Sequence, residues 1–395
     1  MVDINGKYNT AQVMTDNIED SAKEQIQELC NQEFTKGENI VIMPDVHAGA
    51  GSTIGTTMTL KNRKVVPNLV GVDIGCGMRV VKLGYDLNID YKKLDQVIHQ
   101  YVPAGFNVHS EPKHEYDLNK LIIKKQIDKD YILSSLGTLG GGNHFIEIDV
   151  DNDMCYYLVI HSGSRNLGVR VAKHYQDLAI KDMSKDMLNK DALIQEMKLN
   201  GRQREIQSTL EKLEQPSFNK DLAYLEGTHL WDYLSDMKVT QQYAETNRWN
   251  MAITIIREMG WNPLDTFDSI HNYIDLDNMI LRKGATNASR GKPLIIPMNM
   301  GYGSLICTGL GKGEWNHSAP HGAGRTMSRR KAKEAINMQD FNKSMEGIYS
   351  TSVVESTLDE SPFAYKPAQE IINNISKKTV NIDRVIKPVY NFKAV

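Results

Sequence analysis

Five histidines of this 395-residue chain stand in surroundings unlike those of the others: His47 in PDVHAG, His144 in TLGGGNHFIEI, His161 in VIHSGSR, His271 in FDSIHNYI and His321 in SAPHGAGRTMSR. Imidazole, thiolate and carboxylate are the usual protein ligands of transition metals, with neighbouring groups fixing the ring tautomer. Asp73 and Cys76 lie three residues apart in VDIGCGM, where two glycines let the chain turn tightly around the sulfur. With His144, His161 and His271 they make one candidate metal constellation, drawn from distant loops and lacking any local template such as HExxH. A small buried apolar side chain is the competing reading for Cys76. His99, His109, His114, His174 and His229 occur in ordinary polar contexts.

His321 points to different chemistry. In HGAGR the ring is followed by small residues, which would let a bulky ligand approach both imidazole and backbone amides. Arg325 and Arg329 follow four apart, one helical turn, a spacing that would offer two guanidinium forks to phosphate. An unprotonated imidazole is a nucleophile and can form a phosphoramidate with a nucleotide phosphorus. A solvated basic helix face is the competing reading. The run GTLGGG, Gly137 to Gly142, leads into Asn143 and His144 instead of a dinucleotide signature, and no GK[ST] phosphate loop occurs, so neither nucleotide fold is supported.

The elements that must carry these residues can be sketched from hydrophobic pattern. ENIVIMP and MTL bracket a Gly-rich loop as strand, loop, strand; VVPNLVGVDI reads as a second strand before GCGM; Tyr156 to Ile160 reads as a third, with His161 in the turn after it. From about 171 to 260 the chain becomes helix-favouring and charged. KDALIQEMKLNGRQREIQSTLEKLE reads as one or two helices with a solvated face, stopping before Pro216, and another helix is expected from Thr240 to Met259, ended by Gly260. With no repeat or linker, the expectation is an α+β protein of mixed sheets and helices, one domain over residues 1–395 with a helical excursion around 171–260.

Composition narrows the classes. Lys and Arg total 46 and Asp and Glu 49, a net charge of −3 that argues against holding nucleic acid by bulk charge. The four cysteines, Cys30, Cys76, Cys155 and Cys307, include no CxxC pair, so a disulfide framework or zinc ribbon is not supported and a reducing cytoplasm is expected. No apolar run approaches the roughly 18 residues of a spanning helix and the N-terminus lacks a signal-peptide pattern, so no membrane role is expected.

Taken together, MPDVHAGAG, NLVGVDIGCGM, GTLGGGNHFIEI, VIHSGSRNLG, AETNR, IHNYI, RKGAT, HGAGRTMSR and KPVYNFK resemble, in order and over nearly the whole chain, the RtcB-type RNA ligases. The resemblance implies a GTP- and manganese-dependent enzyme that joins RNA 2′,3′-cyclic phosphate or 3′-phosphate ends to 5′-hydroxyl ends through a histidine-GMP intermediate, in tRNA splicing or RNA repair. It further implies that Asp73, Cys76, His144, His161 and His271 hold two manganese ions, with the Cys76 thiolate bridging them, and that His321 is guanylylated. Asn143, Glu147, Asn299, Ser304, Ala323, Gly324, Tyr365 and Lys393 match nucleotide-pocket positions, Asn299 standing where many members carry serine. Arg165, Arg325 and Arg329 match positions that handle phosphate or RNA. The implied partners are RNA, as tRNA halves or broken ends, and an archease-like activator. A metal-dependent phosphodiesterase without nucleotide transfer is the alternative, and a zinc-stabilised RNA-binding module a more distant one.

Overall fold

The computed structural model describes residues 1–186, 190–213 and 218–395. Its centre is a seven-stranded sheet in the order Pro293–Asn299, Gly303–Gly309, Val380–Phe392, Phe145–Val150, Cys155–Ser162, Gly77–Tyr85 and Asp265–Ile270, with every neighbouring pair antiparallel. Strand residues alternate between two faces. On one face Val81, Leu83, Ile146, Ile148, Leu158 and Ile160 pack against Met251, Ala252, Ile255 and Ile256 of the long helix Gly227–Met259. Each such aliphatic side chain contributes about 1.5–3 kcal/mol by leaving water, which is what fastens the helix to the sheet. The opposite face carries Met78, Val80, Phe145, Tyr157 and Val159, and in the same alternation Glu147 and His161.

A six-stranded sheet runs in the order Val2–Asn5, Thr10–Val13, Ile40–His47, Ile54–Thr59, Ile280–Lys283, Asn272–Asp275, and its one parallel pair, Thr10–Val13 with Ile40–His47, makes it mixed. Ala22, Ile26 and Leu29 of the helix Asp20–Cys30 share its core. The strands Ala285–Asn287 and Ser318–Pro320 form a short ribbon that delivers His321 directly after its last residue. The α+β expectation therefore holds.

Several element boundaries differ from expectation. The strand before GCGM is absent: Pro67 and Asn68 sit in a short 3-10 turn, Pro67–Leu69, because proline removes a ladder donor, and Cys76 precedes a strand instead of following one. His161 lies within the strand Cys155–Ser162, paired with Met78 and Phe145, and not in a turn. The helical excursion begins at Arg165 with the helix Arg165–Asp186 and continues through Lys190–Leu199 and Ile206–Leu213; the expected stop before Pro216 lies outside the described residues. The last helix starts at Gly227, not Thr240, because Leu230, Tyr233, Leu234 and Met237 extend the apolar stripe toward the N-terminus. It ends as expected at Gly260, which adopts φ 70° while Trp261 N donates to the Ile256 carbonyl. No described helix is long and apolar enough to cross a membrane, and all four cysteines are free and buried.

Candidate metal centre and nucleotide pocket

The Asp73–Cys76 turn is fixed by its own backbone and by the segment 271–272. Cys76 N donates to the Asp73 carbonyl, Gly75 N to the Asn272 carbonyl at 2.7 Å, and His271 N to the Cys76 carbonyl at 2.9 Å. Gly75 adopts φ 71°, and a Cβ there would lie 2.9 Å from the Gln241 Cα, so only glycine lets the turn approach the long helix. From the other side Gly163 makes room for the carboxylate: a Cβ at that position would fall 2.0 Å from Asp73 Oδ1.

This packing brings all five expected donors together. Cys76 Sγ lies 3.5 Å from His144 Nε2 and 3.4 Å from His161 Nε2; His144 Nε2 is 3.1 Å from Asp73 Oδ2; His161 Nε2 is 3.3 Å from His271 Nε2. The Nδ1 atoms of His144 and His161 donate to the carbonyls of Leu139 and Asn143, which leaves both Nε2 lone pairs aimed inward. Burial holds His161 and His271 well below the ordinary histidine range, so their rings are neutral. Burial opposes ionisation of Asp73, but hydrogen bonds and charge from His144, with Ser164 N, draw its carboxyl below the usual range. Burial and then the Asp73 carboxylate push the Cys76 thiol well up; a divalent cation reverses that balance and takes the thiolate. One soft sulfur, three imidazole nitrogens and a carboxylate oxygen suit a transition metal.

Two residues of the motif AETNR, given no role from the sequence, brace the cluster. Asn247 accepts from the amides of Gly137 and Thr138 and donates to Thr138 O, Ser162 Oγ and Gly163 O. Arg248, wholly buried, donates to the carbonyls of Gly75 and Ser162 and to Asp268 Oδ1. An Asn-Arg pair within a helix otherwise read as charged or apolar was the available signal.

His321 stands beside the cluster, its ring centroid 4.8 Å from that of His271. Its Nδ1 donates to Asp45 Oδ2 at 2.7 Å, and its backbone amide donates to the same oxygen at 3.1 Å. Asp45 is fully buried in the middle of PDV, a motif in which only His47 stands out by residue type. With Nδ1 occupied, the imidazole presents Nε2 as its reactive atom. Gly324, at φ 76°, allows the close pass: a Cβ there would lie 2.3 Å from the Asp45 carbonyl oxygen. Lys366 donates to the carbonyls of Pro44 and Val46 and fixes the strand that carries Asp45.

A cavity of about 580 Å³ opens over these groups. Asp73, Cys76, His161, His271 and His321 line it, as do Asn143, Glu147, Asn299, Ala323, Gly324, Arg325, Arg329, Tyr365 and Lys393. His144 joins through its contacts to Asp73 and Cys76. Ser304 and Arg165 stand apart from this lining: the Ser304 hydroxyl is wholly buried without a partner, and Arg165 donates to Thr138 Oγ1 and the Gly105 carbonyl. Asn299 spends its amide oxygen on the backbone amides of Gly301 and Tyr302. Burial raises the Glu147 carboxyl to about 7, against the hydrogen bond from Asn391 and the charge of Lys393.

The two arginines after His321 do not share a helical turn. Arg325 pairs with Tyr365 in an isolated bridge, and the helix begins only at Arg329, capped by Ser328. The glycine-rich HGAGR segment is drawn out along Asp45, which keeps it from coiling. Both guanidinium groups are engaged with acidic residues: Arg325 with the Asp359 carbonyl and Glu360, Arg329 with the carboxylates of Asp359 and Glu360. Lys393 also pairs with Glu360, at 2.9 Å, and Tyr365 donates to it.

Comparison with known proteins accords with this geometry. A family model described as tRNA-splicing ligase RtcB matches residues 25–130 and 120–394. The chain belongs to the RtcB family. The RNA-splicing ligase RtcB of Escherichia coli strain K12 is 32% identical over 396 residues, covering 90% of each chain. The tRNA-splicing ligases RtcB of Aeropyrum pernix and Nanoarchaeum equitans are 28% and 26% identical, covering 84% and 85% of this chain and 82% and 83% of their own.

Proposed function

We propose that this RtcB-family protein is an RNA ligase, acting in tRNA splicing or RNA repair, that joins 2′,3′-cyclic phosphate or 3′-phosphate ends to 5′-hydroxyl ends at the expense of GTP. The observation that carries the reading is the grip of Asp45 on His321 Nδ1, beside a cavity lined by His321 and by four of the five convergent metal donors, His144 touching them from behind.

In the first step His321 Nε2 attacks the α-phosphorus of GTP; the N–P bond forms, the P–O bond to pyrophosphate breaks, and Asp45 steadies the charge that gathers on the ring. A 2′,3′-cyclic phosphate end is first opened by water, which breaks the bond from phosphorus to the 2′-oxygen and leaves a 3′-phosphate; that phosphate takes the GMP as the N–P bond to His321 breaks, and an incoming 5′-hydroxyl displaces GMP to give a 3′–5′ phosphodiester. Asp73, Cys76, His144, His161 and His271 would hold the manganese ions, which would supply Lewis-acid stabilisation of phosphoryl oxygens when bound. Asn143, Glu147, Asn299, Ala323, Gly324, Tyr365 and Lys393 form the nucleotide pocket, with Ser304 beneath it. Arg325 and Arg329 meet phosphate from their acidic clasp, and Arg165 serves from the rim. One catalytic domain over residues 1–395, a cytoplasmic setting and an archease-like activator complete the reading.

Incubation with GTP, manganese and two RNAs, one ending in a 2′,3′-cyclic phosphate and one beginning with a 5′-hydroxyl, should yield the joined strand. Radiolabel from α-labelled GTP should enter the protein and be absent from His321→Ala. Label retained by that variant overturns the nucleophile, and phosphate hydrolysis without joining favours the phosphodiesterase.

A further inference from the structure

Phe106 does no packing. Its side chain is 100% exposed, the most exposed large apolar group among the described residues. It occupies the tip of a reverse turn in which Asn107 N donates to the Ala104 carbonyl at 3.2 Å and Gly105 adopts φ 67°. The turn itself is firmly held. Gly105 N donates to Gly140 O and Leu139 N to Pro103 O, each at 2.9 Å, and Arg165 Nη2 donates to Gly105 O at 2.8 Å. An ideal Cβ on Gly105 would lie 3.8 Å from the Ala394 Cβ.

That position adjoins two segments that run into the cavity wall. The turn is wedged between Gly140 and Ala394, and these two segments lead within a few residues to the lining residues Asn143 and Lys393, which are themselves joined by a hydrogen bond from Lys393 Nζ to the Asn143 carbonyl at 3.3 Å. The cavity, at about 580 Å³, is the size of a site for one small ligand. A polynucleotide whose end reaches His321 therefore extends beyond the cavity, and the exposed ring, on a turn whose backbone is held, stands next to the segments that line it. Its chain neighbours Gly105 and Asn107 carry no large apolar side chain.

We propose that Phe106 is a stacking platform for a nucleobase of the RNA strand close to the end being joined. Stacking on an aromatic face holds any base without reading its identity, which suits an enzyme that recognises ends by their phosphate chemistry. The proposal rests on the RNA-ligase reading.

The test compares Phe106→Ala, Phe106→Leu and Phe106→Trp with the parent protein in two assays: self-labelling by α-labelled GTP, which needs no RNA, and steady-state joining of single-stranded ends. Labelling should be unchanged in all three. The KM for RNA should rise about tenfold in the alanine and leucine variants and return to the parent value with tryptophan. An abasic nucleotide placed at successive positions from the joined end should, at one position, raise the parent's KM and abolish its difference from Phe106→Ala. An unchanged KM in Phe106→Ala on naked RNA overturns the proposal and leaves the ring to a protein partner; a loss that tryptophan does not restore, or that extends to labelling, overturns it in favour of a structural role. A parent protein that labels with GTP but joins no RNA overturns the ligase reading itself.

Discussion

Two buried charged regions lie side by side in this molecule and are built on opposite plans. Around Cys76, donors face donors: a sulfur, three imidazole nitrogens and a carboxylate oxygen converge within 3.1–3.5 Å of their neighbours, and burial keeps the His161 and His271 rings neutral. Around Glu360 every charge has its complement within the chain, with Lys393, Arg329 and Arg325 ringed about one carboxylate and Tyr365 donating to it. The first is organised to receive a cation from outside. The second carries its cations within, and so holds the pocket wall in shape whether or not a ligand is bound. Clustered lone pairs mark a centre that needs a cation, while closed ion pairs hold a pocket wall ready-shaped for a ligand, even where both line one cavity.

Removing one member of each region should separate the two. Glu360→Ala leaves the buried Lys393 charge without its carboxylate, only the Asn143 carbonyl remaining, and should cost about 3–5 kcal/mol of stability in denaturant unfolding. Burial works against the Glu360 charge, but Lys393 and Arg329 hold its carboxyl down at about 2, against about 4.3 when unfolded. A depressed carboxylate stabilises the fold above its unfolded value, and that contribution is lost as pH falls from about 4.3 toward 2. The parent should lose stability across that window by a margin absent from the Glu360 variant; equal acid profiles would break the comparison. Cys76→Ala should instead leave stability in chelator nearly intact while weakening manganese binding by more than about a hundredfold, read by elemental analysis after dialysis. Retained metal would show that the sulfur is no ligand.

The smallest effect belongs to Glu147, which lies on the wall between the two regions. Its carboxyl is raised to about 7, chiefly by burial, so the folded protein keeps a proton there that the unfolded chain has lost. Stability from this group is full below about 4.3 and declines as pH rises through 7. Glu147→Gln should therefore match the parent near pH 4 and exceed it by roughly 1–3 kcal/mol at pH 8, in parallel thermal or denaturant melts.

Much of the chemistry was legible in the sequence because it resides in residue types that rarely gather without cause. Asp73, Cys76, His161, His271 and His321 meet at one cavity, and His144 backs them through Asp73. What the sequence concealed is how they are held. Asp45 escaped notice because an aspartate before His47 reads as a turn residue, and only the pairing of distant segments shows that it faces His321. Asn247 and Arg248 were hidden by a helix whose period can be read but whose azimuth against the loops cannot. Arg325 and Arg329 were misplaced for the converse reason: a spacing of four implies a shared face only if the intervening chain is helical, and Gly324 is held at φ 76° against Asp45. Strand boundaries erred where Pro67 broke an apolar run and where His161, a polar residue, continued one.

Gly163 gives the metal centre a second specification besides its donors. With a Cβ there only 2.0 Å from Asp73 Oδ1, the distance at which carboxylate meets imidazole is set by an atom that is missing. A designer who transplanted the five donors onto another scaffold and allowed alanine at this position would reproduce the inventory of the site but not its dimensions. Tolerance to substitution here should thus be lowest at a residue that donates nothing.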